Sequence, residues 1–477
     1  MVTVLRNPVV RVAKNTVALV IGRASGMAFT LVFVLYAARL LGVEGFGKYA
    51  LVMGYYDLFL SLCAAGLSIL ITREIAKQPS NANEFITAAI VLVTVVSVVA
   101  SGAMILLAHI IGYAPDTRMA VYMACVALLP GTNSRIFDAA FVAFEKAEYV
   151  TYGTVLGNAL SSGFGLLALF LGYGLWVLFV ILIVTQTSEL AFSIAFLNRR
   201  VVKLHWQLRW PFLRRLVRDW RVFAAENWLS NLFGSLDVIV LSFFRGAGAV
   251  GVYAAASKIL RLGSVIAVSY TAAILPYMSL LFEESKETFQ RVVEVSVKYM
   301  LALVLPGVVT IAILADRIIL LLYTNEYAES IAILRILTWI LLLRFLNPFL
   351  SNVLFARGEQ KYSLEVSAVS FAFYLVVSLW FTSRWGALGA AWALLMAVWM
   401  ASCLYFAFVF RREEAIQTLL ALGRTALAAV GLSMLLLVLR DTPLIPLLLS
   451  SWVLYAVFLF ILRVPLSSDL AVLRGPF

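Results

Sequence analysis

Apolar residues fall in long unbroken runs along this chain, separated by short stretches that hold charge, glycine or proline. A helix that crosses a bilayer needs about 20 such residues. The runs predict fourteen spans: 13–38, 47–71, 85–111, 118–143, 150–171, 174–197, 222–244, 250–280, 291–314, 329–355, 363–382, 386–410, 418–439 and 443–462. The predicted fold class is therefore all-α, a polytopic membrane protein. The connections are short and leave no room for a soluble catalytic domain.

Composition strengthens this reading. Of 477 residues, 63% are apolar and 13% are charged, against roughly 45–50% and 25% in soluble domains. No soluble interior of this size hides so much apolar surface. The first long run begins after Lys14 and has no small-residue cleavage site, so it is expected to stay as a span rather than leave as a signal peptide. Cys63, Cys125 and Cys403 all lie in apolar runs, and His109 and His205 are the two histidines. Neither set has the spacing of a metal site, so no metal is expected.

The net charge is +12, which in a soluble protein would suggest nucleic acid. With the N-terminus placed inside, 23 Lys and Arg fall in inner segments and seven in outer loops. That asymmetry is the positive-inside rule. It predicts a multi-pass protein of the cell membrane with both termini cytoplasmic, and it removes the need for a nucleic-acid partner.

The sequence also repeats itself. Gly42-x4-Gly47-Lys48-Tyr49-Ala50 follows span 1, and Gly246-x4-Gly251-Val252-Tyr253-Ala254 follows span 7. Span 6 closes on Arg199-Arg200 and span 12 on Arg411-Arg412. Two parallel six-span lobes follow, 1–198 and 222–412, with spans 13 and 14 added in 413–477. Parallel repeats with a site between them are a transporter architecture. The 199–221 linker carries Phe212, Leu213, Leu216, Val217 and Trp220 beside Arg214, Arg215, Arg218 and Arg221. This is a basic amphipathic helix suited to the inner leaflet, although lobe connection and topology alone would explain it.

The stretch Ala38-Arg39-Leu40-Leu41-Gly42-Val43-Glu44-Gly45-Phe46-Gly47-Lys48-Tyr49 resembles the first signature of the polysaccharide transporters. The segments Gly66-Leu67 to Lys77 and Phe355-Ala356-Arg357-Gly358-Glu359-Gln360-Lys361-Tyr362 are similar to that family as well. The resemblance implies the multidrug/oligosaccharidyl-lipid/polysaccharide superfamily. It implies two six-helix lobes that carry a polyprenyl-(pyro)phosphate-linked oligosaccharide across the membrane by alternating access. Partners implied are the lipid-linked oligosaccharide, membrane lipids and other polysaccharide-assembly proteins. In the related lipid II flippases two additional helices form a groove for the lipid tail, a role the resemblance implies for spans 13 and 14 without any residue in them that shows it.

Catalysis finds no support. Gly42-x4-Gly47-Lys48 imitates a phosphate-binding loop, but Tyr49 stands where the Mg²⁺-ligating Ser or Thr belongs. No catalytic residue or cofactor is expected. Energy coupling stays open between H⁺, Na⁺ and the membrane potential.

The informative charges lie within spans, where each costs roughly 2.5–3.5 kcal/mol on insertion scales. The cations are Arg23, Arg135, Lys258, Arg261, Lys298, Arg335 and Arg344; the acids include Asp57, Asp138, Glu189, Glu226, Asp237 and Glu294. At the repeat offset of 204, Arg23 maps to Asn227 and Asp57 to Arg261. Arg23, Lys258, Arg261 and Arg344 are the predicted cationic cavity, because a diphosphate cannot enter a low-dielectric space unpaired. Asp57, Glu226, Asn227 and Asp237 are the predicted coupling or cavity-lining groups. Arg135 and Asp138, three apart, are expected to pair with each other. The alternative is a cation-coupled multidrug exporter of the same superfamily, which would want an acidic cavity.

Overall fold

The structure is a computed structural model that describes residues 8–64, 66–220, 236–410 and 412–462. The side chains of 8–24, 27, 261–277, 279–280 and 412–422 lie outside the description. The helices are α1 (Pro8–Ala64), α2 (Leu67–Lys77), α3 (Ala82–Ile110), α4 (Pro115–Ala143), α5 (Ala147–Phe170), α6 (Leu175–Arg200) and α7 (Leu236–Glu284). They continue as α8 (Lys286–Ile313), α9 (Ala315–Leu322), α10 (Ser330–Ala356), α11 (Gln360–Val409), α12 (Arg412–Val438) and α13 (Leu444–Ile461). Residues 210–220 are also helical. Each predicted span falls on helix wherever it is described. Span 2 stops earlier than expected, at Ala64, because Gly66 takes a left-handed conformation (φ 69°) and α2 starts afresh.

Three helices are far too long for one crossing. Fifty residues of α-helix would run about 75 Å, against a hydrocarbon core of about 30 Å. Each contains one glycine at positive φ: Gly42 (66°) in α1, Gly246 (73°) in α7 and Gly386 (57°) in α11. Side chains other than glycine rarely enter that region. The chain turns back there: Phe33 and Tyr49, on either side of Gly42, meet with ring centroids 5.6 Å apart. The repeat seen in the sequence is thus a repeat of backbone geometry, with Gly42 and Gly246 as matching reversal points.

Four other helix ends, at Gly112, Glu145, Gly172 and Gly358, close with Schellman bonds, in which two amides past the helix end cap its last carbonyls. At Gly358, Glu359 N–H donates to Leu354 O (2.8 Å) and Gly358 N–H to Phe355 O (3.0 Å). The same pair of bonds closes α4, from Lys146 to Phe141 (2.8 Å) and from Glu145 to Val142 (3.0 Å). The residue at the left-handed position there is Glu145 (φ 58°), the one non-glycine at positive φ among the described residues. Glu145 and Gly358 are repeat partners, as are Tyr149 and Tyr362.

The chain divides into two compact units, Met1–Gly251 and Val252–Phe477. In the first, α1 packs on α5, and α4 packs on α3 and α6. The start of α7 belongs to this unit through the repeated turns. A Cβ on Gly47 would collide with the backbone of Ala247 and Gly251, and a Cβ on Gly251 with Val43 and Gly47. At offset 204 the contact is reciprocal: position 43 answers 247, and 47 answers 251. Small residues at this spacing let helix backbones touch. Nearby, Tyr113 bridges Tyr55 (hydroxyls 3.3 Å apart) and Ser242 (2.5 Å).

In the second unit, α8 packs on α10 and α10 on α11. The two added spans, α12 and α13, pack on α8 and on each other. Their turn is clamped to the α8–α9 turn. Arg440 pairs with Asp316, and Arg317 donates to the carbonyls of Arg440 and Thr442 (2.7 Å for the latter).

Burial pushes the Asp316 carboxyl up, but the hydrogen bond and charge of Arg440, together with the backbone amides of Arg317 and Asp316, outweigh it and hold the group below the usual carboxylate range. A depressed folded-state pKa gives stability that is present above the unfolded value and lost as pH falls through the folded one. The melting-temperature gap between the native chain and Asp316→Asn should therefore be open at pH 7 and close below about pH 4. Melting curves in one detergent across that range check it. At the other turn, Glu145→Gly should stabilise and Gly358→Ala should destabilise, each by about 1 kcal/mol. Opposite shifts in melting temperature are the expected result.

Candidate functional site: charges inside the spans

Arginine and carboxylate side chains survive in a bilayer only where protein or water surrounds them. In the first unit several converge on one place. Arg135 lies about 12 Å in from the end of α4, and Glu189 about 16 Å in from the end of α6. Arg135 is exposed, while Asp138 and Glu189 are half-buried. The charge of Arg135 acts on both acids at once. The Tyr56 hydroxyl lies in the fields of Asp57, Arg135 and Glu189. α1, α4 and α6 therefore each contribute to one polar cluster.

Two glycines make space for it. Gln186 Oε1 is 2.8 Å from where a Cβ on Gly131 would stand, and the Tyr56 hydroxyl crowds the same point. Glu189 Oε2 lies over Gly157 of α5, 4.0 Å from the equivalent position. Asn158, the next residue on α5, presses its amide against Gly26 of α1. The expected pairing of Arg135 with Asp138 is not formed as an ion pair among the described residues; the charge of Arg135 instead acts at longer range on acids of two helices. Glu189 was legible as an in-span acid. Its convergence with Arg135 was not, because it depends on how α4 and α6 pack.

The predicted site residues are distributed as follows. Asp57 is half-buried in the second half of α1, where its charge acts on Tyr49 and Tyr56. Asp237 is buried at the start of α7, where its carboxylate accepts from the Val238 amide at 2.8 Å. Lys258 on α7 and Arg344 on α10 are half-buried within the second unit, and both have interaction partners. Arg23 lies on α1 and Arg261 on α7, but their side chains fall outside the described residues, as do Glu226 and Asn227 altogether.

The chemistry available to such groups is recognition and charge compensation. Arg135 with its acids can hold a cation or exchange a proton. Lys258 and Arg344 can offset an anion.

Removing Arg135 leaves Asp138 and Glu189 without their shared cation. Arg135→Gln is expected to destabilise the protein by at most about 1 kcal/mol, because Arg135 is exposed and acts on the two acids without an ion pair. Adding Glu189→Gln should recover part of that loss. A double-mutant cycle on melting temperature checks this; strict additivity of the two changes would show that the groups are independent.

Comparison with known proteins fits this geometry. The profile of the family described as "Polysaccharide biosynthesis protein" matches residues 12–282, and that described as "MatE" matches 223–380. A capsular polysaccharide biosynthesis protein of Staphylococcus aureus, CapF, is 23% identical over 46% of this chain and 57% of its own length. The match thus spans little more than half of that relative. AglR of Haloferax volcanii, described as a "probable flippase", is 23% identical over 87% of this chain and 89% of its own. The fold is shared with a structure titled "Lipid II flippase MurJ, inward closed conformation", at a TM-score of 0.74 and 14% identity, covering 96% of this chain and all of the other. With more than half of its length inside one family's profile, the chain belongs to the polysaccharide biosynthesis protein family of multi-pass membrane transporters.

Proposed function

We infer that this protein is a flippase. It moves an oligosaccharide linked to a polyprenyl (pyro)phosphate from the cytoplasmic to the outer leaflet, by alternating access, for cell-surface polysaccharide or glycoconjugate synthesis. The observation that carries the reading is the presence of half-buried cations, Lys258 and Arg344, inside the spans of a chain of this family. Both already have interaction partners; an anionic head group would be attracted to their positive charge, and a cationic drug would be repelled by it. Arg23 and Arg261 join them in this reading. The names of CapF and AglR point the same way.

A second reading, a cation-coupled multidrug exporter, draws on the MatE match over 223–380 and on the acids around Arg135. In the flippase reading those acids, with Asp57, are where an H⁺ or Na⁺ gradient would couple, and the membrane potential acting on the substrate is the other source. The N-terminus and C-terminus are cytoplasmic in this reading, and other polysaccharide-assembly membrane proteins receive the product.

Deletion followed by lipid extraction separates the two. A flippase predicts lipid-linked oligosaccharide accumulating on the cytoplasmic face. Raised drug sensitivity with normal lipid-linked glycans would favour the exporter. Within the flippase reading, Arg344→Gln and Lys258→Gln, each inserted normally, should cut transport at least about tenfold, since a desolvated charge–phosphate contact is worth more than 1.4 kcal/mol.

Alternating access also requires the reciprocal glycine contact at the Gly42 end of the spans to part. A Cβ built on Gly54 stands 3.6 Å from the Val238 Cβ, within the span of a disulfide. Gly54→Cys with Val238→Cys, in a chain whose own three cysteines are replaced, should cross-link and stop transport until reduced. Full transport by the cross-linked protein would contradict the cycle.

A further inference from the structure

The basic stretch after α6 does not present its apolar side to lipid. Its polypeptide is laid across the first two turns of α3. Asn83 donates to Lys203 O (3.0 Å) and accepts from the His205 amide (3.2 Å), and the Gln207 amide donates to Thr87 Oγ1 (3.4 Å). Arg209 pairs with the buried Glu84 at 3.1 Å. Phe212 packs edge-on against Phe85, ring centroids 4.8 Å apart, and Leu216 and Trp220 are buried. The apolar face expected to lie on the membrane is therefore consumed by the protein itself.

What remains outward is different in kind. Trp206 and Trp210 are 68% and 61% exposed. Beside Trp210, the side chains of Pro211, Arg214, Arg215 and Arg218 line an open recess of about 430 Å³. Asp219 reaches Arg215 (3.7 Å) and Arg218 (3.4 Å). One carboxylate for three guanidiniums leaves the recess strongly positive. Its depth is fixed by its anchor: α3 begins at Ala82, so contacts to residues 83–87 place this stretch within about 8 Å of the end of a span. That is headgroup level, where exposed tryptophans are favoured and where arginines meet lipid phosphates.

We propose that the recess formed by Trp210, Pro211, Arg214, Arg215 and Arg218 binds the phosphodiester headgroup of an anionic phospholipid of the surrounding leaflet, with Trp206 and Trp210 as interfacial anchors. This site is separate from the transported substrate and does not rest on the flippase reading. It holds the linker at a fixed height and makes the protein sensitive to the anionic lipid content of its membrane.

The test uses the full chain in nanodiscs of phosphatidylcholine, with and without phosphatidylglycerol, followed by native mass spectrometry. The unaltered protein should keep phosphatidylglycerol in preference to phosphatidylcholine, less so as salt rises. R214Q/R215Q/R218Q should bind it at least tenfold more weakly, about fivefold being expected for each arginine. R199Q/R200Q, which removes charge from the end of α6 outside the recess, should bind as the native chain does. On the unaltered chain, phenylglyoxal labelling of the 214–218 peptide should fall in phosphatidylglycerol and not in phosphatidylcholine, a readout that needs no variant. Equal retention by native and triple-variant chains, equal retention of the two lipids, or protection by an added polyprenyl diphosphate alone would each overturn the proposal.

Discussion

A bilayer offers a bare amide no water to bond, so each crossing must satisfy its own backbone. That demand accounts for the all-helical architecture, and it also dictates where the chain can reverse. A reversal in few residues needs either a left-handed residue or a longer loop that reaches water. This protein takes the first route at Gly42, Gly246 and Gly386, and it caps four further helix ends with left-handed residues, three glycines and Glu145. The remaining architecture follows from these points. They set span length, bring Phe33 back onto Tyr49, and deliver the repeated turns to the place where Gly47 and Gly251 touch.

Span positions were legible because hydrophobic length is a one-dimensional signal. The matching of Gly42 with Gly246 was legible because a positive φ leaves glycine as its trace. The linker was legible only in part. Its amphipathic pattern was plain, but a pattern does not say which apolar surface answers it. Here Phe85 and its neighbours on α3 compete with lipid and win. Convergence of charges was the least legible feature. The i, i+3 spacing of Arg135 and Asp138 lies within one helix and can be read; the approach of Glu189 is set by packing between helices. Glycines at 131 and 157, which look like helix breakers in sequence, turn out to be the space the polar cluster fills.

The two added spans illustrate another economy. α12 and α13 pack on each other through Gly431 against Phe458, and both pack on α8, where Trp452 of α13 lies near Gly307. At their turn the polar clamp through Asp316, Arg317 and Arg440 fixes their register. A packed face alone would permit sliding by a helical turn. The clamp forbids it, because any slide strands Asp316.

The reciprocal contact at Gly47 and Gly251 carries a further implication. It has the self-complementarity of a two-fold dimer interface, yet both surfaces belong to a single chain. In a true dimer, one substitution alters both copies and every compromise is shared. A fused repeat is released from that bond, so its halves can age apart while the points that still face each other stay fixed. The left-handed turn at Glu145, where the other half of the chain has Gly358, is such a departure.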